Sequence, residues 1–310
     1  SWAYDWTLKH IKDEKYCIYP KFSMIKNKLL SQILCVVIYI ISFYVAFILT
    51  PESIESIWLK ILIWHLYATL FIYIGSVILN NSSLYDPFWS VAPVPIVIYL
   101  AVKSDNSITL DLLVLFPIIF WAARLTRNWI ISWRGFEHED FRYIDLKNTN
   151  RLNAEFRNFF GIHLFPTLIV NFCLYPLIFI FSNNATVTPF LYLASLFTFM
   201  SVVLETVADE QMRDFRKDPS NKGKTMKYKL WKYSRHPNYL GEIGFWFGIY
   251  FMGISSGLAP LWIILCPLSM LALFVFASCP MMDNRSLENR SDYKEYMEKT
   301  SQLLLLPPKS

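Results

Sequence analysis

Four polar clusters interrupt a largely apolar chain, and each combines residue types that can do chemistry. One runs Ser234-Arg235-His236-Pro237-Asn238-Tyr239-Leu240-Gly241-Glu242. Pro237 suits the first turn of a helix, and a helix N-terminus beside Arg235 is a ready anion site. Asn238 and Glu242 are four apart and share a helix face. Glu242 falls one turn into an apolar helix, where an ionisable group is costly and points to function. The plainer reading is an interfacial anchor, with Arg235, His236 and Tyr239 at headgroup level. Upstream, Glu205, Asp209 and Arg213 recur at i, i+4 and i+8, with Arg216 near the same face. Such carboxylates can accept amide or ribose hydroxyl groups, and such arginines pair with phosphate. The plainer reading is a solvated charge ladder, which fits Glu210 and Asp214 better than Glu205.

In Asn80–Pro93, Tyr85 and Asp86 bring a phenol and a carboxyl to a helix start. Asp86 reads equally as a proton donor or as a cap for a helix beginning near Pro87. Arg124 and Asn128 are four apart inside an apolar helix, where a buried arginine without a function is uncommon. His138 stands among Glu137, Glu139 and Asp140, but one histidine makes a poor ligand set, so no metal is expected. In the tail, Arg285 and Arg290 follow the last apolar run. They can close over phosphates or anchor the chain beside the membrane.

The elements that must position these groups are membrane helices. The 310 residues are 55% hydrophobic and only 17% charged, and the charges collect between long apolar runs. The net charge of +5 is explained by topology rather than by nucleic acid. Apolar runs extend from about Leu29 to Leu49, Ile57 to Leu79, Phe88 to Val102, Leu110 to Ile131, Phe159 to Phe181, Val187 to Val207, Tyr239 to Ile254 and Leu258 to Ser278. The reading is an all-α polytopic bundle of about eight spans. The third run holds Pro93 and Pro95, and the seventh holds Gly241, Gly244 and Gly248. Both runs are short, and broken or small-residue helices are tolerated at membrane depth where they pack on protein or line a cavity, so short or broken helices are expected near the ligand site. Residues 1–28 form a polar, aromatic segment that does not read as a signal peptide, and 29–310 a single membrane-embedded domain. The basic loops after the fourth and sixth runs then share a side with both termini, the cytoplasmic side. The membrane would be endoplasmic reticulum in a eukaryote and the inner membrane in a bacterium. The five cysteines form no CxxC pair, so neither a disulfide framework nor a zinc site is read. Asn184-Ala185-Thr186 fits a glycosylation acceptor but carries little weight.

The stretches Ala208-Asp209-Glu210-Gln211-Met212, Ser234–Glu242 and Pro280-Met281-Met282-Asp283 together resemble the steroid 5-alpha-reductase C-terminal-like membrane reductases. Tyr85–Pro93, Arg124–Trp129 and Gly135–Tyr143 are similar to the bacterial-type, formerly uncharacterised DUF1295 branch of that family. The resemblance covers roughly Asn80 to the C-terminus. It implies an NADPH pocket open to the cytosol and hydride transfer to an activated double bond of a hydrophobic, lipid-like substrate. By position it implies cofactor roles for Asn128, Glu205, Asp209, Arg213, Arg216, Tyr233, Arg235, His236, Asn238, Tyr239, Glu242 and Arg285. It places the polarising acid and tyrosine at Asp86 and Tyr85, assisted by Arg124. Membrane methyltransferases of the isoprenylcysteine and phospholipid type share the Arg-His-Pro-x-Tyr-x-Gly stretch, with S-adenosylmethionine as cofactor. The alternative activity is theirs.

Overall fold

The computed structural model describes residues 27–181 and 185–309. The polar N-terminal segment up to residue 26, Cys17 and Asn184 lie outside them. Every regular element among the described residues is helical. Six stretches are long and apolar enough to cross a membrane: Lys28–Leu49, Ile57–Ile78, Ser82–Lys103, Ile108–Ser132, Pro189–Lys217 and Leu261–Asn289. The chain is therefore an all-α, polytopic protein whose setting is a lipid bilayer.

Two apolar runs of the sequence are absent from the six, for different reasons. Phe159–Phe181 is divided into a wide π-helical turn, Asn158–Leu164, and two short helices, Phe165–Leu174 and Leu177–Phe181. Pro176, with no N–H to donate, sits in the turn between these two helices. Tyr239–Ile254 forms one helix, Pro237–Ile254, but Asn238, Glu242 and its glycines lower its hydropathy. The proline-rich third run is interrupted as expected. A 3₁₀ turn (Ser82–Tyr85) precedes a single helical turn (Phe88–Val91), and a new helix starts at Pro93.

The described chain divides into two compact units. In the first, described residues 27–98 and 122–172, helices α1 (Lys28–Leu49) and α2 (Ile57–Ile78) pair. Asn27 caps α1 through the Leu30 N–H, and Ser56 caps α2 through that of Leu59. The Trp64 indole N–H donates to the Phe43 carbonyl at 3.0 Å, pinning one helix to the other.

The second unit, described residues 99–121, 173–181 and 185–309, is organised by α3 (Pro189–Lys217) and α4 (Pro237–Ile254). Thr188 caps α3 with Pro189 in its first turn, and Pro237 opens α4. The two helices touch along a face of small residues. A Cβ on Gly241 would lie 2.7 Å from both the Glu205 backbone nitrogen and the Ser201 carbonyl oxygen. A Cβ on Gly248 would overlap the Thr198 hydroxyl. The glycines of this run thus serve close approach in a continuous helix rather than breaking it. Backbone atoms cannot swing aside, so Gly241→Ala is expected to cost about 1–3 kcal/mol. Gly161, with open space around it, is the control. Equal thermal midpoints for Gly241→Ala and Gly161→Ala would remove close packing as the reason for Gly241.

Candidate functional site

In the first unit, the Asp86 carboxylate accepts a hydrogen bond from the Tyr143 phenol at 2.5 Å. Asp86 does not cap the following helix, whose first turn has no side-chain cap. Tyr143 follows Asp140, which caps its own short helix, Phe141–Lys147, and chelates Arg142 at 2.8 and 3.1 Å. The Asp140 N–H donates to Ser83, while Glu139 accepts from the Ser82 N–H and pairs with Lys147. The loop 136–147 is thereby tied onto the 3₁₀ turn that carries Asp86. Desolvation first, then the Asp86 carboxylate, raise the Tyr143 phenol well above its ordinary range. It is protonated at neutral pH, with that proton held against Asp86.

Tyr85 is placed differently. It is fully buried, and its hydroxyl joins Thr167 at 2.8 Å, which joins Thr69 at 2.9 Å. Its ring packs edge-on to His163 at 5.0 Å. The phenol beside the acid is therefore Tyr143, 57 positions along the chain, which the sequence reading did not single out. Its only signal was membership of the Gly135–Tyr143 stretch. Arg124 is buried in the same unit, and the Asn128 carbonyl accepts from Ser132.

The first unit also holds a cavity of ≈ 680 Å³, lined among others by Tyr39, Phe43, Trp64, Pro87, Val91 and Pro95. Its volume is within the usual range for small-molecule pockets. Cys35 and Tyr39 of its wall are within electrostatic reach of Asp86, and Pro87 is the next residue. Tyr44 and Phe47, also in the wall, are exposed apolar side chains of the kind that face lipid.

In the second unit, Glu242 is buried, and its two oxygens accept the indole N–H groups of Trp121 at 2.9 Å and Trp246 at 2.8 Å. Trp121 stacks on Phe245 at 4.4 Å. Glu205 is buried where Gly241 lets α4 approach. The Asn238 side-chain oxygen is buried without a hydrogen-bond partner.

Arg235 and His236 converge on Asp283, at 3.0 and 2.9 Å, and the Tyr293 phenol joins them at 2.5 Å. Arg235 also donates to the carbonyls of Met297 and Thr300. The chain's own tail thus occupies Arg235, a candidate phosphate ligand. Tyr239 stacks on His236 at 5.2 Å, and the Tyr233 ring carries the Lys232 ammonium. Arg213 pairs with Glu210 at 2.6 Å. The cationic grouping lies elsewhere: Arg216 is within electrostatic reach of Arg290, Asp209 and Arg285. Burial lowers the Arg290 guanidinium, against Tyr293 and Asp292, which raise it. Among the described residues no cluster of three or more His, Cys, Asp or Glu could hold a metal, and Cys35, Cys173, Cys266 and Cys279 are free thiols.

The profile of a family described as protein of unknown function (DUF1295) matches residues 70–300. An uncharacterized protein of Schizosaccharomyces pombe is 27% identical over 252 residues, 72% of each chain. No solved structure matches.

Proposed function

The chain belongs to the DUF1295 family, and on that premise we propose that it is an NADPH-dependent membrane oxidoreductase acting on an activated carbon–carbon double bond of a lipid-like substrate: a steroid, sterol or isoprenoid. The observation that supports this reading is that Arg285, Arg290 and Asp209 all lie within electrostatic reach of Arg216. Guanidinium groups suit phosphate, and a neighbouring carboxylate suits a ribose hydroxyl. S-adenosylmethionine, the cofactor of the alternative methyltransferase reading, has no phosphate to engage three arginines. The residues present therefore fit a phosphorylated dinucleotide, which when bound would supply the hydride.

The first unit, taken by itself, holds groups suited to the acid chemistry of such a reaction. The ≈ 680 Å³ apolar cavity would take the substrate from lipid. Tyr143 and Asp86, sharing a proton, would hold a donor to the carbonyl that activates the alkene. The polar loops carrying the arginines would face the cytoplasm, where the basic stretches collect.

Calorimetric titration with NADPH, NADH and S-adenosylmethionine tests the cofactor. NADPH is expected to bind more tightly than NADH and to weaken with salt. Losing one charge-assisted contact, of roughly 1.5–3 kcal/mol, in Arg285→Ala should weaken NADPH about 10- to 150-fold. Tighter binding of S-adenosylmethionine, or an unchanged NADPH affinity in Arg285→Ala, overturns the assignment.

A further inference from the structure

The last residues of the chain present an oddity. Leu304, Leu305 and Leu306 are consecutive and 58%, 39% and 50% exposed. Adjacent exposed leucines are a liability in water unless something covers them. They are not a loose end. The Leu306 N–H donates to the Tyr233 carbonyl at 3.1 Å, and that of Lys309 to the Lys299 carbonyl at 2.9 Å. Ser234 donates to the Leu303 carbonyl at 2.8 Å, and the Arg235 N–H to that of Ser301 at the same distance. The tail is thus laced along residues 233–235 and held beside them.

The same lacing closes a small pocket of ≈ 150 Å³ lined by Lys227, Lys232, Lys299, Glu295, Tyr296 and Thr300, with Pro308 at its edge. Three lysines and Glu295 line it, and Asp292 stands beside it, so three ammonium groups meet two carboxylates. Glu295 is engaged by Lys299 at 3.2 Å, and Lys227 reaches Asp292 at 3.0 Å. Lys232 lies over the Tyr233 ring. The pocket therefore keeps a cationic excess. Around it, Tyr228 and Tyr233 are 65% and 40% exposed.

We propose that this face is a binding site for the headgroup of an anionic phospholipid, with the phosphate between Lys227, Lys232 and Lys299 and the leucines and tyrosines seated at the membrane interface. Lysines alone would suit any phosphate. The three leucines select a lipid, because a soluble anion leaves them in water, whereas a bilayer surface covers them. Exposed tyrosines beside lysines have the composition of a headgroup-level belt. The inference does not depend on the proposed reaction.

The purified full chain in detergent, given an equimolar mixture of phosphatidylcholine and phosphatidylglycerol, would be examined by native mass spectrometry. Phosphatidylglycerol is expected to be retained in preference. Its retention should fall about fivefold for each of Lys227→Gln, Lys232→Gln and Lys299→Gln. Leu304→Ser with Leu306→Ser should also reduce it, and this variant carries the test if a lysine variant fails to fold. Equal retention of the two lipids overturns the proposal. So does displacement of the lipid by millimolar inorganic phosphate with no effect of the leucine substitutions, which assigns the pocket to free phosphate. A dimer abolished by the leucine substitutions assigns the face to a second copy and overturns it as well.

Discussion

Asp86→Asn is expected to slow turnover about 10²- to 10⁴-fold, the usual effect of removing a positioned acid, with NADPH affinity unchanged. The substitution keeps the side chain's shape but cannot share a proton with Tyr143, which now donates to Asp86 at 2.5 Å. Tyr143→Phe should produce a loss of similar size, because the phenol and carboxyl work as one unit and their effects should not add. Tyr85→Phe separates this arrangement from the one implied by adjacency in sequence. The Tyr85 hydroxyl is spent on Thr167 in a buried ladder, so its removal should alter stability by about 1 kcal/mol and leave turnover near the parent's. Single-turnover rates on the three variants, with dinucleotide affinities measured on the same preparations, decide the matter. A large loss in Tyr85→Phe with a small one in Tyr143→Phe would return the role to Tyr85. Normal turnover in Asp86→Asn would remove the acid altogether.

The same pair shows what a single sequence discloses. Spacing along one element is visible: Asn238 and Glu242 do share one helix, and the prolines of the third run do interrupt it. Pairing across 57 residues is not, because nothing in either stretch encodes the turn that brings loop 136–147 over Ser82 and Ser83. Tyr85 and Asp86 look like partners in sequence, but in the 3₁₀ turn one side chain enters the core and the other meets Tyr143. Glycine is ambiguous for a related reason. Gly241 and Gly248 lower helix propensity and hydropathy, which reads either as a break or as a small-residue packing face; only the opposing Ser201 and Thr198 decide for a contact surface. Arg235 was legible as a cation at a helix start, but the tail carbonyls that engage it lie more than 60 residues away.

Glu242→Gln is expected to destabilise the protein before any ligand is added. Considered as a charge in an apolar span, Glu242 should be improved by neutralisation, and a stable protein with weakened NADPH binding would follow. The geometry reverses that expectation. An indole N–H can only donate, and the carboxylate offers an acceptor oxygen to each of Trp121 and Trp246. A glutamine retains one oxygen and turns an NH₂ toward the other indole, placing donor against donor in a buried site. Loss of one charge-assisted bond costs about 1.5–3 kcal/mol, and an indole left unsatisfied adds to it. Replacing Trp246 by Phe in the Glu242→Gln background removes the opposed donor, so the double variant should be more stable than the two single losses summed. Thermal midpoints of the four proteins without ligand give the coupling, and NADPH titration of each shows whether affinity follows stability. Additive losses would mean that the indole contact contributes little. A Glu242→Gln protein as stable as the parent, binding NADPH 10- to 150-fold more weakly, would instead place the carboxylate on the cofactor.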